Sequence, residues 1–155
     1  NAKLNEELDI TGPFGHFTFD ENIHKNITLI GAGAGITPLA SMLRYIKDKN
    51  LGDINANLIY SSKTPDDIIF KNEFLANGYK NIKIHLTITR PDENNWSGLK
   101  GRINEDMIKK VIPNLNEHYY YICGPTSMCE ETRKLLQSMK IDDSKIKLER
   151  FGEFA

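Results

Sequence analysis

The run NITLI at residues 26–30 passes directly into GAGAGITP at 31–38, and the reading of that junction sets the fold. An apolar run of strand length meets three glycines in five positions, the mark of a tight strand-to-helix turn. Glycines leave backbone N–H groups uncovered and a helix N-terminus adds partial positive charge, so together they form a cradle for a phosphate or diphosphate. Thr37 is the expected N-cap and Pro38 the expected first helical residue, where proline gives up no needed donor. A turn without a ligand is the alternative that this loop alone leaves open. The loop is not a Walker sequence, since no Gly-Lys-Ser/Thr follows, and it departs from G-x-G-x-x-G at Ile36.

Outward from this junction, apolar runs and amphipathic segments alternate with little between them, the pattern of strands feeding helices in a parallel sheet. Strands are expected near 27–30, 56–60, 82–89, 118–123 and 145–150. Leu39, Met42, Leu43 and Ile46 fall at helical spacing, as do Met128, Thr132, Leu135, Leu136 and Met139, so both segments read as core-facing helices. Thr64, Pro65 and Asp67 read as an N-cap, a first-position proline and a first-turn carboxylate, while Asn104 before Glu105 and Asp106 opens a third helix. In the strand at 82–89, Ile82, Ile84, Leu86 and Ile88 alternate with Lys83, His85, Thr87 and Thr89, which predicts a wetter face and an outer position. Right-handed crossovers then predict a doubly wound, three-layer α/β/α fold with a five-stranded parallel sheet in the order 3-2-1-4-5. Ligands of such sheets bind outside the carboxyl ends of the strands, where the order reverses. GAGAGITP, SSKTP, TRP, CGPTS and RFG each follow one of the five strands, so the unusual residues gather on that rim.

Composition narrows the function classes. With 155 residues, 39% of them hydrophobic, the chain suits one domain with a sizeable core. Twenty Lys and Arg against 21 Asp and Glu leave a net charge of −1, which offers no electrostatic footprint for nucleic acid or an anionic membrane. No run approaches the roughly 20 apolar residues that cross a bilayer, and no signal peptide is expected, so the expected location is cytoplasmic. Cys123 and Cys129 can build neither a disulfide framework nor a four-thiolate cluster, and His16, His24, His85 and His118 lack metal-like spacing, so no metal is expected. Asn1 and Ala2 resemble a cloning scar, so the natural polypeptide is expected to extend beyond them.

Each rim motif also has a plain structural reading. Ser127 and Glu130 can form a capping box that starts a helix and does nothing more. Cys123, at the end of a buried strand, is either a small core residue or a neighbour of a cofactor; nothing near it in sequence marks it as a nucleophile, and Cys129 reads as packed. Arg90, Trp96 and Arg102 fall in or beside a long loop, with Trp96 as its anchor and Arg102 read as solvated. Glu149 lies on the rim, where an exposed carboxylate is the ordinary account. The second strand ends in Ser61 and Ser62, where ordinary Rossmann dehydrogenases place an acid.

Taken in order, GPFGHF, GAGAGITP, KTPDDIIF, TRP with W-S-G-x-x-G-R-I, CGPTSM and ERFG resemble the nicotinamide-binding half of the ferredoxin reductase family of flavoproteins. The form is that of the NAD(P)H-dependent reductases serving oxygenases, and the likeness runs from Glu7 onward. It implies that an FAD-binding barrel precedes this domain on the same polypeptide. Residues 1–20 would then be a remnant of its last strand plus a linker, and 21–155 the NAD(P)H-binding domain. Hydride would pass from nicotinamide to flavin, and single electrons onward to an acceptor protein whose kind the resemblance leaves open: iron-sulfur, haem, oxygenase or quinone.

By the same resemblance, Gly31, Gly33, Gly35, Ile36, Thr37 and Pro38 correspond to the diphosphate and nicotinamide loop. Cys123, Gly124 and Pro125 correspond to a second loop whose cysteine lies close to the nicotinamide, with Met128 as its usual methionine. Glu149 would lie near the reacting rings and Phe151 beside the flavin, although Gly152 follows where plant-type members end on the aromatic. Thr37, Cys123 and Glu149 are the implied positioning set for the hydride step, and no protein base is required. Ser61, Ser62, Lys63 and Arg90 are the implied contacts for the rest of the dinucleotide. The loop after the second strand has one lysine and no arginine, Asp66 and Asp67 oppose a further phosphate, and Phe70 lacks a hydroxyl, so NADH is expected, with NADPH possible. Two other classes share parts of the pattern. A nucleotide-sensing module would keep the cleft without carrying electrons. A flavodoxin-like FMN shuttle would want a hydroxyl-rich first loop, whereas this one holds only glycine and alanine before Ile36 and Thr37.

Overall fold

The computed structural model describes residues 3, 5–7, 9–12, 14–91 and 96–151. The readings of Asn1, Ala2 and Gly152 lie outside the described residues. Strand β1 (Asn26–Ala32) is buried along Ile27–Gly31 and leads through a 3-10 turn, Gly33–Gly35, into helix α1 (Ile36–Asp48). The chain then forms β2 (Asn55–Ser62), α2 (Lys71–Leu75), β3 (Ile82–Ile88), β4 (Leu99–Lys100), α3 (Glu105–Val111), β5 (Tyr119–Pro125), α4 (Thr126–Ser138) and β6 (Ile146–Phe151).

All strand pairs are parallel, and the order is β4-β3-β2-β1-β5-β6. The five expected strands appear in their expected relative order, and a sixth is added. Two residues of the long loop, Leu99 and Lys100, pair with Thr87 and Ile88, so the third strand is not outermost. A two-residue strand carries no periodicity, and side-chain anchoring makes it: Thr87 Oγ1 donates to Gly101 O at 2.8 Å, and Trp96 Nε1 donates to Leu99 O at 2.7 Å. So short an edge also offers little template for pairing with another chain.

The sheet divides the core in two. On one face Leu29, Leu58, Tyr60 and Tyr121 pack with Leu39, Leu43 and Ile46 of α1 and Phe74 of α2. On the other, Ile30, Ile59, Tyr120 and Ile122 pack with Met107 and Ile108 of α3 and Cys129 and Leu136 of α4. This is the three-layer arrangement that alternation along strands of a parallel sheet requires.

Three helix starts differ from expectation. Helix α1 begins at Ile36 with Gly35 at its N-cap, and Thr37 Oγ1 donates to Ala34 O at 3.0 Å, tying down the 3-10 turn instead of capping the helix. Pro38 is therefore the third helical residue. Helix α4 begins at Thr126 with Pro125 at its N-cap and no side-chain cap; Ser127 is already the second helical residue, so the expected capping box does not form, and Glu130 accepts from Arg150 Nε at 2.9 Å. Thr64, Pro65 and Asp67 form their local bonds but open only a 3-10 turn, and α2 starts later, at Lys71. Asn104 does cap α3, accepting from the Met107 N–H at 2.9 Å.

Candidate functional site

At the carboxyl ends of β1, β2 and β5 lies a cleft of about 570 Å³, a size common for small-molecule sites. Gly33 forms part of its floor. Its φ of 53° is in the left-handed region that glycine adopts without penalty, and Tyr60 Oη donates to its carbonyl at 3.1 Å from the sheet below. The two glycine loops meet here. A β-carbon at Gly35 would overlap the Cys123 carbonyl and stand 2.6 Å from the Gly124 nitrogen, while one at Gly124 would stand 2.5 Å from Met128 Cε and 3.1 Å from Ala32 O. The loops are thus in backbone contact, and only glycine allows it. Cys129 Sγ donates to the carbonyls of Gly124 and Glu149, each at 3.5 Å, tying α4 to the second loop and to the last strand.

Of the residues expected to bind a cofactor, Gly33, Ser61, Ser62, Lys63, Pro125 and Met128 line this cleft. Gly31, Gly35, Ile36 and Gly124 are buried behind it as the joint between the loops. Thr37 is exposed beside them, and Pro38 lines a separate groove with Phe17, Phe19 and Tyr45. Cys123 and Glu149 are register partners on β5 and β6, so their side chains share the face that α1 covers rather than the cleft itself. Burial pushes the Cys123 thiol up to about 12, with Cys129 and Glu149 adding to it, so it is a neutral thiol at physiological pH and no nucleophile. Phe151 pairs with Pro125 across the sheet and is exposed. Arg90 does not line the cleft; its N–H donates to Lys63 O at 2.8 Å.

The cleft also holds residues that sequence reading passed over as plain structure. Arg102 and Ile103 reach it because β4 carries the end of the long loop back to the carboxyl rim, and no local pattern announces so short a strand. Ser127, Glu131 and Thr132 enter from α4, with Arg102 Nη1 4.0 Å from Glu131 Oε2. Both side chains are largely exposed, so this pair is worth little in itself. Asp67 is also in the wall. Thr64 donates to it from both its hydroxyl, at 2.8 Å, and its N–H, at 3.0 Å, and these bonds hold the carboxyl below its ordinary value and ionised. Lys63 and Arg90 add to that effect.

The residues present suit a dinucleotide. Helices α1 and α4 both start at the meeting of the glycine loops without a side-chain cap. Uncapped N–H groups and glycine N–H groups supply donors for a diphosphate. Among the described residues no group of three or more His, Cys, Asp or Glu could hold a metal ion, and no helix is long and apolar enough to cross a membrane.

Comparison with known proteins agrees with this geometry. The chain is 30% identical over 156 residues to the glycine betaine monooxygenase reductase subunit of Chromohalobacter salexigens, covering 98% of this chain and 42% of that protein. It is 33% identical over 132 residues to NADH-cytochrome b5 reductase 2 of Candida albicans, covering 83% and 44%. Among solved structures, the CS-b5R domains of human Ncb5or in the NAD+ form superpose with a TM-score of 0.75 at 26% identity, over 88% of this chain and 40% of that one. The chain therefore spans less than half the length of these relatives. Residues 29–134, from β1 into α4, match the family described as oxidoreductase NAD-binding domain, and the chain belongs to that family.

Proposed function

We propose that this chain is the pyridine-nucleotide half of an FAD-dependent reductase that takes NADH and serves an acceptor protein. The observation that carries the reading is the backbone contact between the Gly33–Gly35 turn and Gly124 beside a cleft flanked by two uncapped helix starts. When bound, NADH supplies a hydride and FAD takes it up and releases single electrons. The chain's own task is to bind and orient. Gly33, Pro125 and the first turns of α1 and α4 hold the diphosphate. Ser61, Ser62 and Lys63, steadied by the Arg90 N–H, hold the adenosine end. Thr37, Cys123 and Glu149 surround the nicotinamide, Cys123 as a small neutral contact and Glu149 and Thr37 as polar ones, and Phe151 lies against the flavin.

The same reading makes residues 1–20 the last strand of a flavin barrel plus linker. Ile10 is 91% exposed and Phe14 84% exposed, apolar side chains that a neighbouring domain would cover. The preference for NADH rests on Asp67: its fixed negative charge in the cleft wall opposes a second phosphate on the adenosine ribose. The names of the reductases it resembles support an acceptor protein without deciding which. Calorimetric titration with NADH, NADPH and ADP-ribose tests the proposal. Saturable binding of NADH and ADP-ribose is expected, with NADPH weaker, and absence of saturation by all three at millimolar concentration would defeat it.

A further inference from the structure

Among the described residues, five that are not glycine have a positive φ, and four of them have an ordinary reason. Asn5, Asn50 and Asn114 carry the short polar side chain that tolerates the left-handed region, and Lys140 follows the end of α4, where helices commonly close in that conformation. Phe70 is the fifth. At φ 60° and ψ 26° it stands at the start of α2, and a bulky side chain in that region is a true outlier. Such strain persists only where neighbouring contacts hold it, and it gathers at functional sites.

The contacts that hold Phe70 come from both helices of its layer. The Arg44 guanidinium of α1 lies 4.4 Å from the centre of the Phe70 ring. Glu73 of α2 fixes that guanidinium in turn, accepting from Nε at 3.1 Å and from Nη2 at 2.7 Å. Stacking and forking at once is a task that only a planar guanidinium performs. The Phe70 ring also meets Phe74 edge-on, with centroids 6.3 Å apart, and it is not part of the cleft lining. Its backbone, however, ends the loop that leaves β2 at Ser62, and Asp67 of the cleft wall is three residues before it. At the other end of this loop, Ser62 O accepts from the Thr89 N–H at 3.0 Å and Lys63 O from the Arg90 N–H at 2.8 Å. Between the two ends Ile68 is buried, while Asp67 stays exposed.

We propose that Arg44, Phe70 and Glu73 form a positioning clamp for coenzyme preference: the stack locks Phe70 in its left-handed conformation, and the loop so directed presents Asp67 to the adenosine ribose. The inference rests on the reading of the cleft as an NADH site with Asp67 as its discriminator. None of the three clamp side chains touches the coenzyme. Without the stack, the chain at Phe70 relaxes from φ 60° and the Asp67 carboxylate shifts with it, so a second phosphate is opposed less. Ser61 and Ser62 on β2 and the two glycine loops stay in place, so NADH is held as before.

The test is calorimetric titration of Arg44→Gln with NADH and NADPH, beside Asp67→Asn and the double variant. The Arg44 side chain is 44% exposed, so its replacement leaves the core intact. The ratio of the NADPH to the NADH dissociation constant is expected to fall about fourfold in Arg44→Gln, about tenfold in Asp67→Asn and no further in the double variant, because one acts through the other. General loosening of the domain would weaken both coenzymes alike and leave the ratio where it was. Phe70→Tyr keeps a ring under Arg44 and should keep the ratio; a gain in NADPH affinity there would place the ring in the cleft and overturn the proposal. An unchanged ratio in Arg44→Gln, or effects that multiply in the double variant, would overturn it too. If Asp67→Asn shifts the ratio and Arg44→Gln does not, the clamp alone fails. If Asp67→Asn leaves the ratio unchanged, or NADH does not bind, the reading of the cleft fails and the clamp with it.

Discussion

A β-carbon at Gly35 has nowhere to go but into the Cys123–Gly124 peptide, whereas one at Gly33 meets open space and only the strain of a φ of 53°. Gly35→Ala is therefore expected to lower stability by about 1–3 kcal/mol through forced separation of the loops, and to weaken NADH binding with it. Gly33→Ala should cost about 1 kcal/mol. Urea denaturation of both variants checks the order, and equal losses would mean that the loops are not in contact. Asp67→Asn keeps the side chain's size and removes its charge. NADPH affinity is expected to rise about tenfold, with NADH changed less than about twofold, in paired calorimetric titrations. At this scale the glycines, Ser61, Ser62 and Lys63 were legible because their chemistry is local. Arg102 was not, because its place in the cleft depends on a strand pairing 14 residues back, where Thr87 bonds Gly101.

Helix starts show how an element's role can differ from its sequence signal. Thr37 and Ser127 have the side chains of N-caps, yet neither caps: the Thr37 hydroxyl satisfies the 3-10 turn, and Ser127 lies inside a helix whose N-cap is Pro125. The result is that α1 and α4 start open where the glycine loops meet, while α3, beginning beside the same cleft, is closed by Asn104. Strand β4 is an element of tertiary origin, secured by the only tryptophan of the chain. Trp96→Phe keeps the ring packing and removes the bond to Leu99 O. About 1 kcal/mol of local stability should go with it, read as roughly fivefold faster amide exchange at Gly101, which donates to Ile88 O at 2.8 Å, with β1 unaffected. Unchanged exchange at Gly101 would show that the indole bond does not hold the strand.

Taken whole, the molecule buries ionisable groups in their neutral forms on both sides of neutrality. His24, His85 and His118 are all pushed down from 6.5, in each case chiefly by burial, with Lys147 adding at His24 and Lys83 at His85. The unfolded chain thus takes up protons first as pH falls through 6.5, and stability drops from there toward the lower folded values. The Cys123 thiol and the Tyr120 and Tyr121 phenols are pushed up, again chiefly by burial, so the unfolded chain loses protons first above about 9 and stability drops as pH rises. A plateau between about pH 6.5 and 9 is expected, with a loss of up to ~1.4 kcal/mol per pH unit for each such group outside it. Urea midpoints between pH 5 and 10 measure it, and a midpoint still rising at pH 5 would contradict the buried histidines.

The amino-acid sequence by itself determined the strand and helix order, the winding of the sheet and the rim on which the glycine loops fall, because apolar periodicity and glycine turns are properties of adjacent residues. Tertiary structure alone decided how closely the two glycine loops pack against each other, that Arg102 faces the cleft, and that Cys123 is a buried neutral thiol. Each of those depends on how segments distant in sequence pack at the ends and faces of the strands, and that packing is settled by burial of the whole sheet between its two helical layers.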